Sequence, residues 1–233
     1  MRLDLGLAHQ QTEKEMKEMK EMKEILLNLF LIRDDDHTSP TPFTYLALRP
    51  EGNILFATKA DISPFYNAIE KKGGVSAVLI GDRHHVSQDT VKLSVHFNAP
   101  LIGSRIEAKV LGAKGFTLNA SLPYEQRALG NDIEIIPTPG HTTGAFSYLW
   151  NNGVNKILFI GDTLVPVEKT WLYWVSPPSR KILADTLNRL KTFEFDHVVS
   201  NSFACQGGAC RRISNAEKEN LLNNTIKQLV SNQ

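Results

Sequence analysis

The apolar segments of this chain are short, and two of the strongest stop at a glycine followed by an aspartate. VSAVLI ends at Gly81-Asp82, and KILFI ends at Gly161-Asp162. An apolar run of four to eight residues that is bounded by turn residues is typical of a strand buried on both faces. Strands of this kind need covering layers, so the chain has to surround its sheets with helices.

Segments with helical patterns alternate with these strands. We predict helices in SPFYNAIEKK, with Ser63 as its N-cap, in TVKLSVHF, in SRKILADTLNRLKTF and in the final SNAEKENLLNNTIKQLVSN. ILLNLFLI, IEAKVLG and FTLNASL are predicted strands, and RPEGN is the predicted turn of a hairpin between TPFTYLAL and NILFAT. This order predicts a layered α/β fold with helices outside two sheets.

Composition argues against several classes of protein. The 233 residues carry a formal net charge of +1, which gives no reason to expect a nucleic-acid or anionic-membrane partner. No apolar run approaches the roughly 20 residues that a membrane-spanning helix needs. The two cysteines provide no disulfide framework, and the N-terminal residues lack the long apolar segment of a signal peptide. We therefore expect a cytoplasmic protein.

The N-terminal region contains a charged repeat. Residues Glu13 to Glu24 read EKEMKEMKEMKE, and all three residue types are good helix formers. Methionines spaced by three drift around a helix that has 3.6 residues per turn, so the repeat has no constant apolar face. We interpret residues 1–24 as a charged helical extension and residues 25–233 as the folded domain. A helix that binds a partner is the alternative for the repeat.

Side chains that can bind metal follow three of the predicted strands. VLIGDRHHV supplies Asp82, His84 and His85, PTPGHTTGAFSYLW supplies His141, and ILFIGDTL supplies Asp162. A carboxylate at the end of a buried strand is costly unless a cation or hydrogen-bond donors lie beside it. Each motif alone is a weak signal, because a histidine in a loop or an aspartate at a strand end is usually structural.

The order of these motifs resembles that of the metallo-β-lactamase fold superfamily, over most of the chain from about Ile25 to the C-terminus. The matching pieces are RPEGNILFAT, VLIGDRHHV, PTPGHTTGAFSYL and LFIGDTL, of which PGHTTG is the most specific. The resemblance implies a four-layer αβ/βα sandwich with a metal site at the ends of the sheets. It also implies metal ligands in a His-x-His-x-Asp-His motif, at the histidine of PGH, at the bridging aspartate of GD and at a late histidine.

The chain departs from that ligand pattern, and two alignments of VLIGDRHHV are open. In the first, His85 keeps its place, His84 replaces the aspartate, Asp82 replaces the second histidine and Ile80 replaces the first. In the second, Asp82 and His84 take the two histidine positions, and the two residues after His85 fall where Asp and His belong. HVVSNSF lies where the late histidine is expected, which puts Ser202 near that position.

Both alignments keep Asp82, His84, His141 and Asp162 near the site, with His85 as a further ligand or a neighbour of the ligands. Two histidines and two carboxylates suffice for one divalent ion, with zinc as the first choice and iron or manganese as alternatives. The resemblance then implies hydrolysis of an ester, thioester, lactone, amide or phosphoester in a small-molecule substrate, by water that the ion activates. Asp162 would hold the ion and orient the water. The alternative is a non-catalytic binding or scaffold protein that binds no metal and keeps only the fold.

Three further features carry less weight. Cys205 and Cys210 lie in SFACQGGACRR, where two reduced thiols in a surface loop are expected and zinc ligation is the alternative. Arg211 and Arg212 follow and would suit an anionic substrate group. TWLYWVSPPSR, with Trp171, Tyr173 and Trp174, is expected either to border the substrate pocket or to form a packed aromatic cluster or an interface patch.

The charged repeat leads to a first prediction. Removal of residues Met1 to Lys20 should shift the melting temperature only slightly, because this segment has no constant apolar face to bury in a core. Thermal unfolding of the full and shortened chains measures the shift. Loss of cooperative folding in the shortened chain would contradict the interpretation of this segment as an extension.

Overall fold

The structure is a computed structural model that describes residues 20–32, 42–57, 59–167, 170–202 and 210–231. The strands are β1 (Lys23–Leu26), β2 (Leu29–Ile32), β3 (Thr44–Ala47), β4 (Ile54–Phe56), β5 (Ala77–Leu79), β6 (Leu101–Ser104), β7 (Ala120–Leu122), β8 (Arg127–Leu129), β9 (Ile133–Pro137), β10 (Phe146–Asn151), β11 (Lys156–Phe159), β12 (Val165–Val167), β13 (Thr170–Leu172), β14 (His197–Val199) and β15 (Cys210–Arg212). The α-helices are α1 (Tyr66–Lys71), α2 (Gln88–His96), α3 (Arg105–Ala113), α4 (Arg180–Leu190) and α5 (Asn215–Ser231). None of these helices is long and apolar enough to cross a lipid bilayer.

Two sheets form the middle of the molecule. The first has the strand order β1-β2-β3-β4-β5-β6-β7, and the second has the order β15-β14-β11-β10-β9-β8. In the first sheet β4, β5, β6 and β7 pair in parallel, and in the second β11 pairs in parallel with β14. Because parallel strands end at the same edge of a sheet, the residues that follow β4, β5 and β6 lie at one edge of the first sheet, and those that follow β11 and β14 lie at one edge of the second.

The inner faces of the two sheets meet in a core that is rich in aromatic side chains. Phe56 of β4 stacks on Phe159 of β11 with ring centroids 3.7 Å apart, and Tyr45 packs edge-on against Phe159. The hydroxyl group of Tyr148 donates a 2.6 Å hydrogen bond to the carbonyl of Ile80, which crosses from the second sheet to the first. This core fixes the distance between the sheets and therefore between the loops at their edges.

The outer faces of the sheets are covered by helices. In β5 and the residue after it, Leu79 faces the core between the sheets, whereas Val78 and Ile80 face the cluster beneath α1, α2 and α3. β11 alternates in the same way, with Leu158 and Ile160 packed in the cluster beneath α4 and α5. The helix–sheet–sheet–helix order is the predicted αβ/βα sandwich, and two apolar faces account for the unbroken apolar runs in these strands.

Three local predictions are corrected by the structure. IEAKVLG is part of helix α3 rather than a strand, since the Ser104 hydroxyl accepts the Glu107 backbone N–H at 3.1 Å and caps the helix. ILLNLFLI forms the β1–β2 hairpin rather than one strand, with Asn28 at φ 61° in its turn. Ser63 begins a 3-10 turn and does not cap it.

The predicted domain boundary at residue 25 falls inside a strand. β1 begins at Lys23, two residues before that boundary, and residues 1–19 lie outside the described residues.

An ion pair fastens the two sheets at the end of β9 that lies away from the Pro-Gly loop. Arg49, in the loop after β3, donates through Nε to Asp132 Oδ2 at 2.8 Å and through Nη2 to Oδ1. The indole Nε1 of Trp150 donates to the same Oδ2 at 2.9 Å. The hydrogen bonds from Arg49 hold the pKa of Asp132 below its usual value.

Replacement of this carboxylate gives a second prediction. Asp132→Asn should lower the free energy of unfolding by about 1–3 kcal/mol at pH 7, because the charge-assisted hydrogen bonds are lost. A lowered pKa means that the stabilisation is present above the unfolded value of 3.8 and is lost as pH falls through the folded value. Urea unfolding of both chains at several pH values should therefore show a difference that shrinks in acid. A difference that stays constant down to pH values below the folded pKa would contradict the assignment.

Candidate metal centre

Three loops that follow strand ends meet at one edge of the two sheets. The loop after β5 carries Asp82, His84 and His85, the loop after β9 carries His141, and Asp162 follows β11. His84 Nδ1 lies 3.1 Å from His141 Nε2, and His85 Nε2 lies 3.7 Å from Asp162 Oδ1. The prediction that GDRHH faces PGH and IGD across one cleft is confirmed.

Four of these side chains form a compact group. Asp82, His84, His141 and Asp162 each offer one ligand atom, and the four atoms lie within 4.8 Å of one another. Asp82 Oδ2 is 3.4 Å from His84 Nδ1 and 3.8 Å from His141 Nε2, and His141 Nε2 is 3.9 Å from Asp162 Oδ2. A tetrahedral ion with ligand bonds of about 2.0–2.2 Å holds its ligands about 3.3–3.6 Å apart. The four distances of 3.1–3.9 Å between neighbouring ligand atoms are close to these values.

Hydrogen bonds orient two members of the group. His141 Nδ1 lies 2.6 Å from the carbonyl oxygen of Trp174, so we assign the proton to Nδ1, which leaves the lone pair of Nε2 facing the group. Asp82 Oδ1 accepts the backbone N–H of His84 at 2.8 Å, which leaves Oδ2 on the side of the histidines. Both residues therefore present one unprotonated ligand atom in a fixed direction.

His85 lies beside the group of four and contacts it through Asp162. Its Nδ1 accepts the backbone N–H of Gly81 at 3.1 Å, which turns Nε2 toward Asp162. A Cβ at Gly81 would lie 2.9 Å from His85 Cε1, and a Cβ at Gly161 would lie 3.3 Å from the same atom. His85 Nε2 and Asp162 Oδ1 are buried, and neither has a hydrogen-bond partner among the described residues.

The charges of the carboxylates and imidazoles depend on one another. Burial raises the pKa of Asp82, but the hydrogen bond with His84 and the charges of the nearby histidines outweigh burial and hold that pKa well below its usual range. Burial also raises the pKa of Asp162, but the charge of the neighbouring His85 outweighs burial and holds that pKa below its usual value. For His85, burial lowers the pKa, whereas the charges of Asp162 and Asp82 raise it, and the result is a pKa of about 9. A divalent cation would compete with protons for these atoms.

The structure agrees with the first of the two alignments of the histidine motif. His85, which keeps a ligand position in that alignment, faces Asp162. Ile80, which replaces the first histidine there, is buried in the core beneath the helices and is not at the site. Val86, which the second alignment puts at a ligand position, is buried in the same core. Ser87 caps α2 by accepting the backbone N–H of Thr90. The first alignment therefore describes the loop.

A cavity of about 230 Å³ opens above the group of four. It is lined by Pro42, Lys59, His84, His85, His141, Asp162, Trp174, Asn201 and Ser202. The amide nitrogen of Asn201 donates to the carbonyl oxygens of Phe43 and Phe56, at 3.0 and 3.2 Å, which fixes this wall to the first sheet. Ser202 stands where a late histidine was expected. Trp174 borders the cavity as the sequence suggested, whereas Trp171 is packed in the core beneath α4 and α5.

The other chemically active residues lie outside this group. His96 contacts Glu70 at 2.9 Å on the surface, and His197 contacts Asp196 at 2.7 Å. Cys210 begins β15 rather than lying in a loop, and burial raises the pKa of its thiol to about 12, which favours the protonated form. Arg211 and Arg212 follow it on β15 and do not line the cavity. Cys205 lies outside the described residues.

Glu107 is a residue of the site that sequence reasoning missed. Its carboxylate is fully buried, accepts the backbone N–H of Arg83 at 2.9 Å and pairs with the Arg83 guanidinium at 2.6 and 2.7 Å. It also accepts the backbone N–H of Gly144 at 3.0 Å. The available signal was the sequence SRIE, in which a serine precedes a glutamate by three residues at a helix start.

Known proteins support the fold. No family model matches the sequence. A hydroxyacylglutathione hydrolase of Mesorhizobium japonicum is 28% identical over 132 residues, which is 55% of this chain and 48% of that protein. The chain spans about half the length of the curated relatives it matches first.

Two solved structures are similar over nearly the whole chain. The metallo-β-lactamase GOB-18 from Elizabethkingia meningoseptica is 20% identical with a TM-score of 0.64, covering 94% of this chain and 94% of that one. The class B3 di-zinc metallo-β-lactamase LRA-12 from an Alaskan soil metagenome is 18% identical with a TM-score of 0.61, covering 93% and 94%. The chain therefore has the metallo-β-lactamase fold, with an altered set of candidate metal ligands.

The close approach of Gly144 to Glu107 gives a third prediction. A Cβ at Gly144 would lie 2.7 Å from Glu107 Oε1 and 2.7 Å from the Cβ of Ile106. Gly144→Ala should therefore lower the free energy of unfolding by about 1–3 kcal/mol. Gly112→Ala in α3 is the matched control, because no heavy atom lies within 4 Å of its added Cβ, and it should stabilise the helix by about 0.5–1 kcal/mol. Urea unfolding of both variants measures the difference, and equal effects would contradict the steric account.

Proposed function

We propose that this chain is a metal-dependent hydrolase that holds one divalent ion, zinc in the first instance, at Asp82, His84, His141 and Asp162. The observation that supports this most is the approach of four ligand atoms to within 4.8 Å of one another beneath a cavity. Two imidazole nitrogens and two carboxylate oxygens suit zinc, and iron or manganese are the alternatives. A di-zinc structural neighbour gives further support to zinc as the first ion to test.

Two buried atoms also favour a cation at this place. His85 Nε2 and Asp162 Oδ1 lie 3.7 Å apart, and within the described part of the chain neither makes a hydrogen bond. A buried polar atom without a partner is costly, and more so when it belongs to a carboxylate. An ion held by Asp162 would neutralise this charge, so the donor set and the unpaired atoms both fit a divalent cation.

The residues around the cavity have separate roles in the proposed reaction. A bound zinc ion supplies a Lewis acid that polarises a carbonyl or phosphoryl oxygen and acidifies water. Asp162 would hold the ion and orient the attacking water through its carboxylate, and the hydrogen bond from His141 Nδ1 to the carbonyl of Trp174 fixes the ring of that ligand. Lys59 provides a positive charge for an anionic part of the substrate, and Trp174 provides an apolar wall.

The proposed substrate is a small molecule with an ester, thioester, lactone or phosphoester bond. A hydroxyacylglutathione is the first to test, since the curated relatives carry the name hydroxyacylglutathione hydrolase. These relatives share only part of their length with this chain, so the other bond types belong in the same screen. We propose that the reaction takes place in the cytoplasm.

A second candidate is a non-catalytic protein of the same fold. Ile80 occupies the position of the first ligand histidine, and its side chain is buried beneath the helices. Ser202 stands near the position of the late histidine. With both of these ligands replaced, this candidate keeps the fold and the cavity without a working metal site.

Metal content separates the two candidates and forms the fourth prediction. Protein purified without chelator should contain about one equivalent of transition metal per chain. His141→Ala and Asp162→Asn should each lower metal content and hydrolysis of S-lactoylglutathione or a nitrophenyl ester at least about tenfold, because a ligand is removed. His96→Ala is the control, since this histidine contacts Glu70 outside the group.

A metal-free protein would contradict the first candidate. Absence of metal after growth with added zinc, iron and manganese would refute the proposed metal-dependent reaction. If Asp162→Asn is then also as stable as the unaltered chain or more stable, the Asp162 carboxylate has no role in holding a cation and the second candidate stands.

A further inference from the structure

The Glu107 carboxylate connects the two loops that carry three of the four proposed ligands. Oε2 accepts the backbone N–H of Arg83, which stands between Asp82 and His84. Oε1 accepts the backbone N–H of Gly144, three residues after His141 in the next loop. These partners lie 24 and 37 residues from Glu107 in the sequence, so one side chain of α3 fixes two distant segments.

Other contacts strengthen this connection. Arg83 holds the same carboxylate through Nε at 2.6 Å and Nη2 at 2.7 Å, and Nη2 also reaches the Thr143 hydroxyl at 3.3 Å. Ser104 accepts the Glu107 backbone N–H and donates to the carbonyl of Gly144 at 2.7 Å. Both carboxylate oxygens of Glu107 therefore accept hydrogen bonds. The backbone N–H and the backbone carbonyl of Gly144 both bind side chains at the start of α3.

This arrangement restricts where the ligand atoms lie. The loop after β5 forms a short 3-10 helix over Arg83–His85 and the loop after β9 is irregular, and neither has strand pairing at Asp82, His84 or His141. A metal site requires its ligands to be held within about 0.5 Å of the productive geometry. A buried ion pair is often neutral for stability against an apolar replacement, but it fixes the relative position of the groups that it joins.

We infer that Glu107 is a positioning residue that raises metal affinity by holding the Asp82–His84 loop against the His141 loop. The inference rests on the proposed function. Glu107 does not line the cavity, so its effect passes through the backbones of Arg83 and Gly144. Its removal should therefore change ligand geometry as well as stability.

The experiment compares Glu107→Gln with Asp132→Asn in the full chain. Both replacements remove the charge of a carboxylate held by an arginine through two hydrogen bonds, but Asp132 joins the sheets at the other end of β9. Zinc affinity is measured with Zn²⁺ alone against a chromophoric chelator, and ligand geometry by the absorption spectrum of the Co²⁺ form. Thermal unfolding of the metal-free proteins reports stability separately.

Glu107→Gln is expected to weaken zinc binding about 10–100-fold and to alter the Co²⁺ spectrum, as loss of a group that supports ligands does. Asp132→Asn is expected to lower the melting temperature of the metal-free protein while zinc affinity stays within about twofold, since distant sites act independently. Arg83→Lys keeps the charge but loses the paired donors, so it should weaken zinc binding as well. If Glu107→Gln does not fold, Arg83→Lys decides the question.

Two results would overturn the inference, and they can be told apart. If the unaltered chain binds zinc and the folded Glu107 and Arg83 variants bind it equally well, Glu107 has only a structural role and the proposed function stands. If the unaltered chain binds no zinc, the proposed function fails and the inference fails with it.

Discussion

Two carboxylates from facing sheets share one buried site, and much of the surrounding structure compensates for their charge. The Asp82 side chain is 2% exposed and the Asp162 side chain 11% exposed. Their ligand atoms lie within 4.8 Å of each other. Two negative charges at this distance are not both stable unless positive charges lie close by. His84 and His85 supply that compensation in the protein itself, and each contacts one of the carboxylates. The same atoms would coordinate a cation, so the requirement for charge balance and the proposed function concern one set of residues.

The fold brings these residues together through the aromatic layer between the sheets. Phe56 and Phe159 stack across that layer, and they lie on β4 and β11, next to the strands and loops that carry the site. Near the site, the hydroxyl of Tyr148 binds the carbonyl of Ile80, and the Phe146 backbone N–H donates to the carbonyl of Gly81 at 2.8 Å. The separation of the loops is thus set by contacts of the core and by two hydrogen bonds between sheets, rather than by the loops alone.

The sequence was sufficient to predict the parts of the site that follow from local pattern. Apolar runs that stop at Gly-Asp indicated strand ends, and the order of motifs indicated which strand ends would meet. The layered α/β fold was predicted in this way, whereas its four layers and the approach of His84 to His141 were implied by the resemblance to the metallo-β-lactamase superfamily.

The parts that were missed depend on contacts between distant residues. IEAKVLG was predicted to be a strand, yet the serine cap and the packing of Leu111 make α3 a helix, so Glu107 was placed in the wrong element. No local pattern shows that a glutamate will pair with an arginine 24 residues earlier. The choice between the two alignments likewise depended on packing, because the direction of His85 and the burial of Val86 are not visible in the sequence.

The packing of His85 also gives a way to recognise other chains that contain this variant of the site. Its ring fills the space left by two glycines, Gly81 and Gly161, each in an Ile-Gly-Asp tripeptide at the end of a strand in a different sheet. A larger residue at Gly81 would occupy the position of the imidazole, so glycine there and histidine three residues after the first aspartate should be gained or lost together during evolution. Two Ile-Gly-Asp tripeptides, the first followed by Arg-His-His and the two separated by Pro-Gly-His, thus form a search pattern that follows from steric fit.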